Sequence, residues 1–221
     1  MRRNLNGVKS VAKILSPLIL SFIVLCGTIW LLKASFGPTL SAVKLFLSDQ
    51  REVPVREANN IFEGYEEPDE PVNVVDGNDI RYPHRGDLYA RLAIESCGIE
   101  DDVYFDDSDA ALNKGLGQYF GSSLPGYGSP ILIAGHNNRS FHRLGEAQVG
   151  DLITITTNYG IYQYQIVETA IIRADDPGAV DLTQDKEQLI LYTCYPFTTL
   201  SLTPRRYFVY ADKVSGPDVL H

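Results

Sequence analysis

Three reactive or charged side chains each lie where a β-prone run meets a loop. His136 ends the run "ILIAGH", Cys194 ends "LILYTC", and Arg206 begins "RYFVYA". A thiol of ordinary pKa, about 8.5, is mostly protonated at neutral pH, and an imidazole can take up and return its proton. A guanidinium stays charged and can hold an oxyanion with several donors. The three residue types therefore suit acyl transfer through a thioester.

None of the three residues is specific by itself. A histidine after a strand can be a surface residue, and a cysteine that ends a strand can be a small buried apolar residue. Only Cys97 and Cys194 lie beyond the apolar N-terminal segment, so a disulfide between them is the alternative to a nucleophile. A disulfide-stapled scaffold normally carries more pairs, which favours the free thiol. Asn137 and Asn138 follow His136 and could orient it or form a turn.

The region that carries these residues is typical of a β-barrel. From Gly86 onward, several runs rich in Ile, Val, Tyr and Thr alternate apolar with polar residues, the period-two pattern of half-buried strands. Residues 110–119 form the one good helical candidate. About 130 residues with six or more strands predict one closed or nearly closed, mostly β barrel with a few short helices. Functional residues at the strand ends of such a barrel can converge on one rim.

Residues 14–32 form an apolar run of nineteen residues without a charge. At about 1.5 Å rise per residue, a helix of this length nearly spans a hydrocarbon core of about 30 Å. Four cationic residues and no acidic residue precede the run, which predicts a cytoplasmic N-terminus (residues 1–13) and an extracellular remainder. A cleaved signal peptide is the alternative. The length of the run and the lack of a clear small-x-small site favour an uncleaved, single-pass transmembrane anchor.

Composition separates a linker from the barrel and excludes several classes of function. We predict that residues 33–85 are an extracellular stalk and linker, since residues 62–85 are acidic, contain three prolines and lack periodicity. The net charge of the chain is −9, and without the four N-terminal cations it is −13, which argues against a nucleic-acid partner. No zinc-site spacing such as C-x-x-C or H-E-x-x-H occurs, and we expect neither a metal nor another cofactor.

Taken together, the motifs resemble those of the sortases, which are membrane-anchored cysteine transpeptidases of mainly Gram-positive bacteria. "IAGH" and "LYTC", followed by an arginine five residues before Ala211, carry the resemblance. It covers about residues 86–214 and includes "SDAALNKGLGQY" and "VGDLITI" on either side of the histidine strand. "LILYTC" is similar to the TLxTC-like motif of the family, with Tyr192 where a small or polar residue is usual.

The resemblance implies a sortase β-barrel over residues 86–221 and a two-step reaction. Cys194 would attack the peptide bond after Thr in an LPxTG-like sorting signal of a surface protein. An amine, usually on a cell-wall precursor, would then resolve the acyl-enzyme. His136 would act as general acid and base. Counting back from Ala211 assigns the family's arginine to Arg206, and strand alternation points Arg205 to the opposite face.

Further substrate-binding residues are implied by the same resemblance. Thr193 would help to hold the bound peptide or the oxyanion. Asp176 and Pro177 lie in "DDPGAV", in the loop before the cysteine strand, where the family often binds its sorting signal. An ordinary Pro-Gly turn is the alternative interpretation of that loop.

The subclass that the chain resembles most is class D. "TCYPF", a short loop, "PRRYFVYA" and the N-terminal anchor are similar to class D sortases. Pilus-building class C enzymes typically carry an Asp-Pro-aromatic lid motif and a C-terminal membrane span, and neither is visible in the sequence. Class B stays open.

Two other functions are compatible with the residues. A hydrolytic cysteine peptidase is the nearer one, although papain-like enzymes place Cys before His along the chain. Chymotrypsin-like cysteine proteases have the order seen here but want Gly beside the nucleophile, whereas Thr193 and Tyr195 flank Cys194. The other is a surface-tethered barrel that binds a partner without chemistry.

Overall fold

β-Strands dominate the polypeptide and close into a barrel. The computed structural model describes residues 59–62, 73–198 and 203–220, which belong to one unit, Arg56–His221. Its strands are β1 (Val74–Asp76), β2 (Leu88–Ile94), β3 (Ile99–Tyr104), β4 (Leu116–Gln118), β5 (Ile131–Ala134), β6 (Leu152–Thr157), β7 (Ile161–Arg173), β8 (Gln188–Tyr195), β9 (Arg205–Ser215) and β10 (Asp218–Leu220). The helical elements are α1 (Asp109–Leu112) and three 3₁₀ turns, Gly77–Asp79, Glu95–Cys97 and Leu144–Glu146.

Eight of these strands form the barrel, in the order β2-β3-β4-β5-β8-β9-β7-β6, with β6 returning to β2. The β3–β4 and β5–β8 pairs are parallel, and the other neighbours are antiparallel. The prediction of a single, closed, mostly β barrel with little helix is therefore confirmed. β1 and β10 form a separate two-stranded parallel sheet.

Strand alternation divides the side chains of β8 between the barrel interior and its outer face. Leu189 and Leu191 belong to the main core, whereas Ile190 belongs to a second apolar cluster on the outer face. Because both faces of β8 are covered, its sequence reads as a continuous apolar run. The second cluster, called the outer-face cluster below, contains Ala179, Ile190 and Phe208, with Leu132, Ile172, Val180, Tyr192 and Tyr210 partly buried against it.

The helix predicted over residues 110–119 is wrong for its second half, because α1 ends at Leu112 and β4 begins at Leu116. Gly115 and Gly117 let the chain run very close to its neighbours. A Cβ at either glycine would lie 2.5 Å from a backbone oxygen. A glycine inside a helix also costs about 1 kcal/mol relative to alanine, so the two glycines were a signal against a long helix.

Part of the predicted linker contacts the barrel. The backbone N–H groups of Asn59 and His84 each donate to the carboxylate of buried Asp87, at 3.0 Å. Ile61 is buried in the main core, and β1 pairs with β10. The boundary at residue 86 was predicted from composition, yet residues before it contribute to the packing and hydrogen bonding of the barrel.

Removing these residues is expected to destabilise the domain. A chain of residues 86–221 loses the burial of Ile61, worth about 1.5–3 kcal/mol, and leaves the carboxylate of Asp87 without two of its donors. At about 2–4 °C per kcal/mol for a domain of this size, we expect its melting temperature to be at least about 3 °C below that of residues 56–221. Thermal unfolding of the two chains, with 73–221 as an intermediate length, measures this difference. Equal melting temperatures would show that these contacts contribute nothing to stability.

The predicted membrane anchor, residues 14–32, lies outside the described residues. Within the described ranges, no helix combines the length and the apolar character that crossing a membrane requires.

Candidate active site

Cys194 and Arg206 are cross-strand neighbours at one end of the barrel. They are paired directly in the antiparallel register of β8 and β9. Residues opposed in this way point to the same face of the sheet, with Cβ atoms about 4.5–5.5 Å apart. The register therefore places the guanidinium of Arg206 on the face that carries the thiol.

His136 lies on the other side of β8 from Arg206. β5 runs parallel to β8 with Ala134 paired to Tyr192, and the Gly135 N–H continues this ladder by donating to the Tyr192 carbonyl at 3.2 Å. Continued by two residues beyond Ala134, the same register pairs the backbone position of His136 with that of Cys194. Neighbouring strands lie about 4.8 Å apart, so the ends of β5, β8 and β9 bring the backbones that carry the three residues next to one another.

All three side chains belong to the outer face of the barrel. In β8, Leu191 points into the main core and Cys194 has the opposite parity, which it shares with the outer-face residue Ile190. For β5, a Cβ on Gly135 would lie 2.6 Å from the ring of buried Phe141, so Gly135 faces the core and leaves no room for a side chain. His136, the next residue, therefore faces outward.

The two consecutive arginines have different surroundings. Arg206 Nη1 donates to the carbonyls of Thr203, at 2.7 Å, and Arg205, at 3.0 Å. The guanidinium of Arg205 instead lies 5.4 Å from the ring centroid of Tyr195, on the face away from Cys194. Tyr195 also stacks with Tyr207, so Arg205 belongs to an aromatic cluster rather than to the thiol face. The structure thus places Arg206, and not Arg205, beside Cys194.

Thr193 is turned away from the outer face. It is 2 % exposed, and its hydroxyl donates to the Gly135 carbonyl at 2.7 Å. This hydrogen bond joins the residue before Cys194 to the residue before His136, and so ties the ends of β8 and β5 together.

Asp176 and Pro177 lie in the loop of residues 174–187, which joins β7 to β8. The loop starts beside Arg205 and ends at the start of β8, so it follows the outer face of the sheet along β8 and β9. It is held there by Ala179, whose carbonyl accepts from the Tyr210 hydroxyl at 2.7 Å. The carboxylate of Asp176 accepts from the Gly178 N–H at 2.9 Å, a contact of the ordinary turn that was the alternative interpretation.

Tyr192 extends the site along the outer face. Its ring stacks on Phe208 with centroids 5.7 Å apart and an interplanar angle of 25°. Burial raises the pKa of Tyr192, Asp107 raises it further, Arg206 lowers it and Cys194 raises it. The phenol therefore lies within electrostatic range of both the thiol and the guanidinium. In the sequence, Tyr192 stands out only as a departure from the motif, although strand alternation already places it on the thiol face.

The alternative of a disulfide between the two cysteines is overturned, because Cys97 and Cys194 are both free thiols. Cys97 is buried in the main core, in the 3₁₀ turn Glu95–Cys97, where its thiol contacts the Ile94 carbonyl at 3.7 Å. Burial raises the pKa of the Cys97 thiol. Among the described residues, no group of three or more His, Cys, Asp or Glu side chains is placed to hold a metal ion.

Comparison with known proteins gives one consistent family. A family model described as "Sortase domain" matches residues 92–214. Sortase D of Bacillus subtilis (strain 168) is 35% identical over 133 residues, which cover 60% of this chain and 67% of that protein.

Solved structures agree with this match. A Clostridium perfringens Sortase D5 transpeptidase superposes with a TM-score of 0.54 and 27% identity, covering 60% of this chain and 82% of that one. Sortase C1 from Streptococcus agalactiae gives a TM-score of 0.53 and 26% identity, covering 57% of this chain and 67% of that one. The family match spans more than half of the chain and includes the strands that carry His136, Cys194 and Arg206. The protein belongs to the sortase family of cysteine transpeptidases.

Proposed function

We propose that Cys194, His136 and Arg206 are the catalytic residues of this sortase. The observation that supports the proposal is the strand register: Cys194 is paired with Arg206 on β9, and β5, which ends two residues before His136, pairs with β8 on the other side of Cys194. A nucleophile with a proton carrier on the strand to one side and a permanent cation on the strand to the other is what thioester chemistry requires.

The first step is acylation by an LPxTG-like sorting signal. The Cys194 thiolate attacks the carbonyl carbon of Thr, and Arg206 stabilises the negative charge that develops on the carbonyl oxygen. The C–N bond of the Thr-Gly peptide then breaks, and the imidazolium of His136 gives its proton to the leaving amine. The products of this step are a thioester on Cys194 and a free N-terminal glycine.

The second step is transfer to an amine of the cell wall. Neutral His136 takes the proton of the incoming amine as its nitrogen attacks the thioester carbonyl. The C–S bond breaks, an amide forms, and Cys194 leaves as a thiolate beside the imidazolium. The acceptor we propose is a cell-wall precursor amine.

The outer face of β5, β8 and β9 is the proposed floor of the peptide groove. Tyr192 and Phe208 belong to this floor, and the loop of residues 174–187 borders it. We propose that Asp176 and Pro177 contact the sorting signal from this loop.

Class D is the proposed subclass, which is supported by the 35% identity to Sortase D. We also propose a single-pass membrane protein with residues 14–32 as anchor, a cytoplasmic N-terminus and an extracellular catalytic domain, because residues 2–13 are cationic.

A transfer assay tests the proposed function. The full-length protein is incubated with an LPxTG-type peptide, with and without an amine acceptor, and the products are separated by mass. We expect a ligated product only with the acceptor present, together with cleavage between Thr and Gly. Hydrolysis that the amine never diverts would favour a cysteine peptidase, and an intact peptide would argue against this substrate class.

Thr193→Val tests whether Thr193 binds the sorting peptide or stabilises the fold. The hydroxyl is buried and donates to Gly135, so its loss leaves a buried carbonyl without this donor and costs about 1–3 kcal/mol. We expect a lower melting temperature and a lower kcat with KM within about twofold, since the interaction joins β5 to β8. Thr193→Ser keeps the hydroxyl and is the control. A higher KM with unchanged kcat and stability would instead indicate peptide contact.

A further inference from the structure

Asn137 connects the turn after His136 to the turn after Cys194. The residue is 7% exposed, and its side-chain Nδ2 donates to the Pro196 carbonyl at 3.1 Å. Pro196 is the second residue after Cys194, and Asn137 is the first after His136. A buried amide thus spans the gap between the two chain segments that leave the active site.

This hydrogen bond has a counterpart on the strand side of the site. Before the turns, the Thr193 hydroxyl donates to the Gly135 carbonyl at 2.7 Å. One bond therefore joins the residues that precede Cys194 and His136, and the other joins residues that follow them. These two hydrogen bonds, one before and one after Cys194 and His136, hold the two backbones at a fixed separation.

The imidazole depends on this support. The His136 carbonyl accepts from the N–H groups of Arg139, at 3.2 Å, and Phe141, at 3.0 Å, so the backbone turns immediately after the histidine. Within the described parts of the chain, the hydrogen bonds and ion pairs involve the backbone of His136 and none involves its ring. No carboxylate there orients the ring as in a Ser-His-Asp triad. Its place relative to Cys194 is therefore set by the backbone that Asn137 helps to hold.

We propose that Asn137 is a positioning residue for the transpeptidation, which rests on the proposed roles of His136 and Cys194. By donating to the Pro196 carbonyl, the amide keeps the imidazole at proton-transfer distance from the thiol. Asn137 itself touches neither the peptide nor the acceptor. A displacement of about 1 Å between catalytic groups can cost about 10²-fold in rate, so the loss of one such cross-link has a measurable effect.

The donor chemistry gives this proposal a specific signature. A carboxylate has no proton to donate, so Asn137→Asp at neutral pH loses the bond to Pro196 and sets a negative charge against that carbonyl. A protonated carboxyl has one O–H donor and can remake the bond. Burial raises the pKa of a carboxyl group, which moves this protonation toward the range where the enzyme can be assayed.

The experiment compares Asn137→Ala, Asn137→Asp and Asn138→Ala in the full-length protein with an LPxTG-type peptide and an amine acceptor. Asn138 is the exposed neighbour in the same turn and is the matched control. Rates are divided by the folded fraction of each variant, measured by circular dichroism and thermal unfolding, so that unfolded protein does not count. We expect Asn137→Ala to lower kcat about 10- to 100-fold with KM within about twofold, and Asn138→Ala to stay within about twofold of wild type.

The pH profile separates positioning from stability. The ratio of Asn137→Asp activity to wild-type activity should rise at least about fivefold between pH 8 and pH 5.5 as the new carboxyl is protonated, whereas the ratio for Asn137→Ala should stay flat. An Asn137→Ala enzyme as active per folded molecule as Asn138→Ala overturns the proposal, as does a flat Asn137→Asp ratio. If the wild type itself forms no ligated product, the proposed function fails instead, so the two failures are distinguishable.

Discussion

Replacing Cys194 with alanine is expected to abolish both cleavage and transfer of the sorting peptide. The sulfur forms the covalent bond of the proposed thioester, and alanine has no group that can replace it. Removing a catalytic nucleophile costs at least about 10⁴-fold in kcat, which puts the variant below detection. Cys194 is only partly buried at the end of β8, so the change in stability should be within about 0.5 kcal/mol.

Cys97→Ala is the matched control for this experiment. Cys97 is also a free thiol, but it is buried in the main core. Its replacement should lower the melting temperature by a few degrees and leave activity within about twofold of wild type. Intact-mass spectra of the wild type with peptide and no acceptor should show the mass of an acyl-enzyme, and this adduct should be absent in Cys194→Ala and retained in Cys97→Ala. Transfer by a folded Cys194→Ala protein would refute the role of this thiol.

Much of the site could be predicted from the sequence because strand geometry is periodic. Once β8 and β9 are identified, alternation alone puts Leu191 and Cys194 on opposite faces, and it separates Arg205 from Arg206. The strand character of these runs is strong, since β-branched and aromatic residues dominate them. The mostly β character of the domain and the shared face of Cys194 and Tyr192 follow from these local rules.

The neighbours of β8 could not be derived from local pattern. β5 and β8 pair in parallel across residues 135–187, and parallel pairing requires a long crossover whose partner the sequence does not specify. The adjacency of His136 and Cys194 depends on this pairing. At the sequence level, it was available only through the family resemblance.

The hydrogen bonds of buried polar residues could not be predicted from the sequence for a similar reason. Glu187 is a charged residue in an acidic loop, yet it is buried and accepts from the N–H groups of Gly126 and Gly128 at 3.1 Å and from the Tyr164 hydroxyl at 2.6 Å. Asn137 is similar, since its partner lies 59 residues away. Such long-range partners satisfy buried polar groups, and they are defined by the folded chain rather than by the residues nearby.

The consecutive arginines provide the second test with a large expected effect. Arg206→Ala should lower kcat/KM about 10²- to 10³-fold, the usual cost of removing a donor that stabilises a developing oxyanion. Arg206→Lys should recover only part of this loss, because an ammonium keeps the charge but lacks the planar fork of donors. Arg205→Ala should stay within about threefold of wild type, since Arg205 lies over Tyr195 on the other face, where such a contact is worth about 0.5–1 kcal/mol.

Comparing Arg205→Ala with Arg206→Ala separates the effect of a guanidinium's position from the effect of its charge. Both variants remove one positive charge, at adjacent residues of β9, so any effect of the long-range field on the acidic protein is nearly the same in each. Steady-state kinetics with the LPxTG-type peptide, together with melting temperatures, then compare the two faces of one strand. Because only Arg206 is paired with Cys194, a difference between the variants measures what the guanidinium contributes beside the thiol. A larger loss for Arg205→Ala would mean that the oxyanion forms on the opposite face, and the proposed assignment of all three catalytic residues would fail with it.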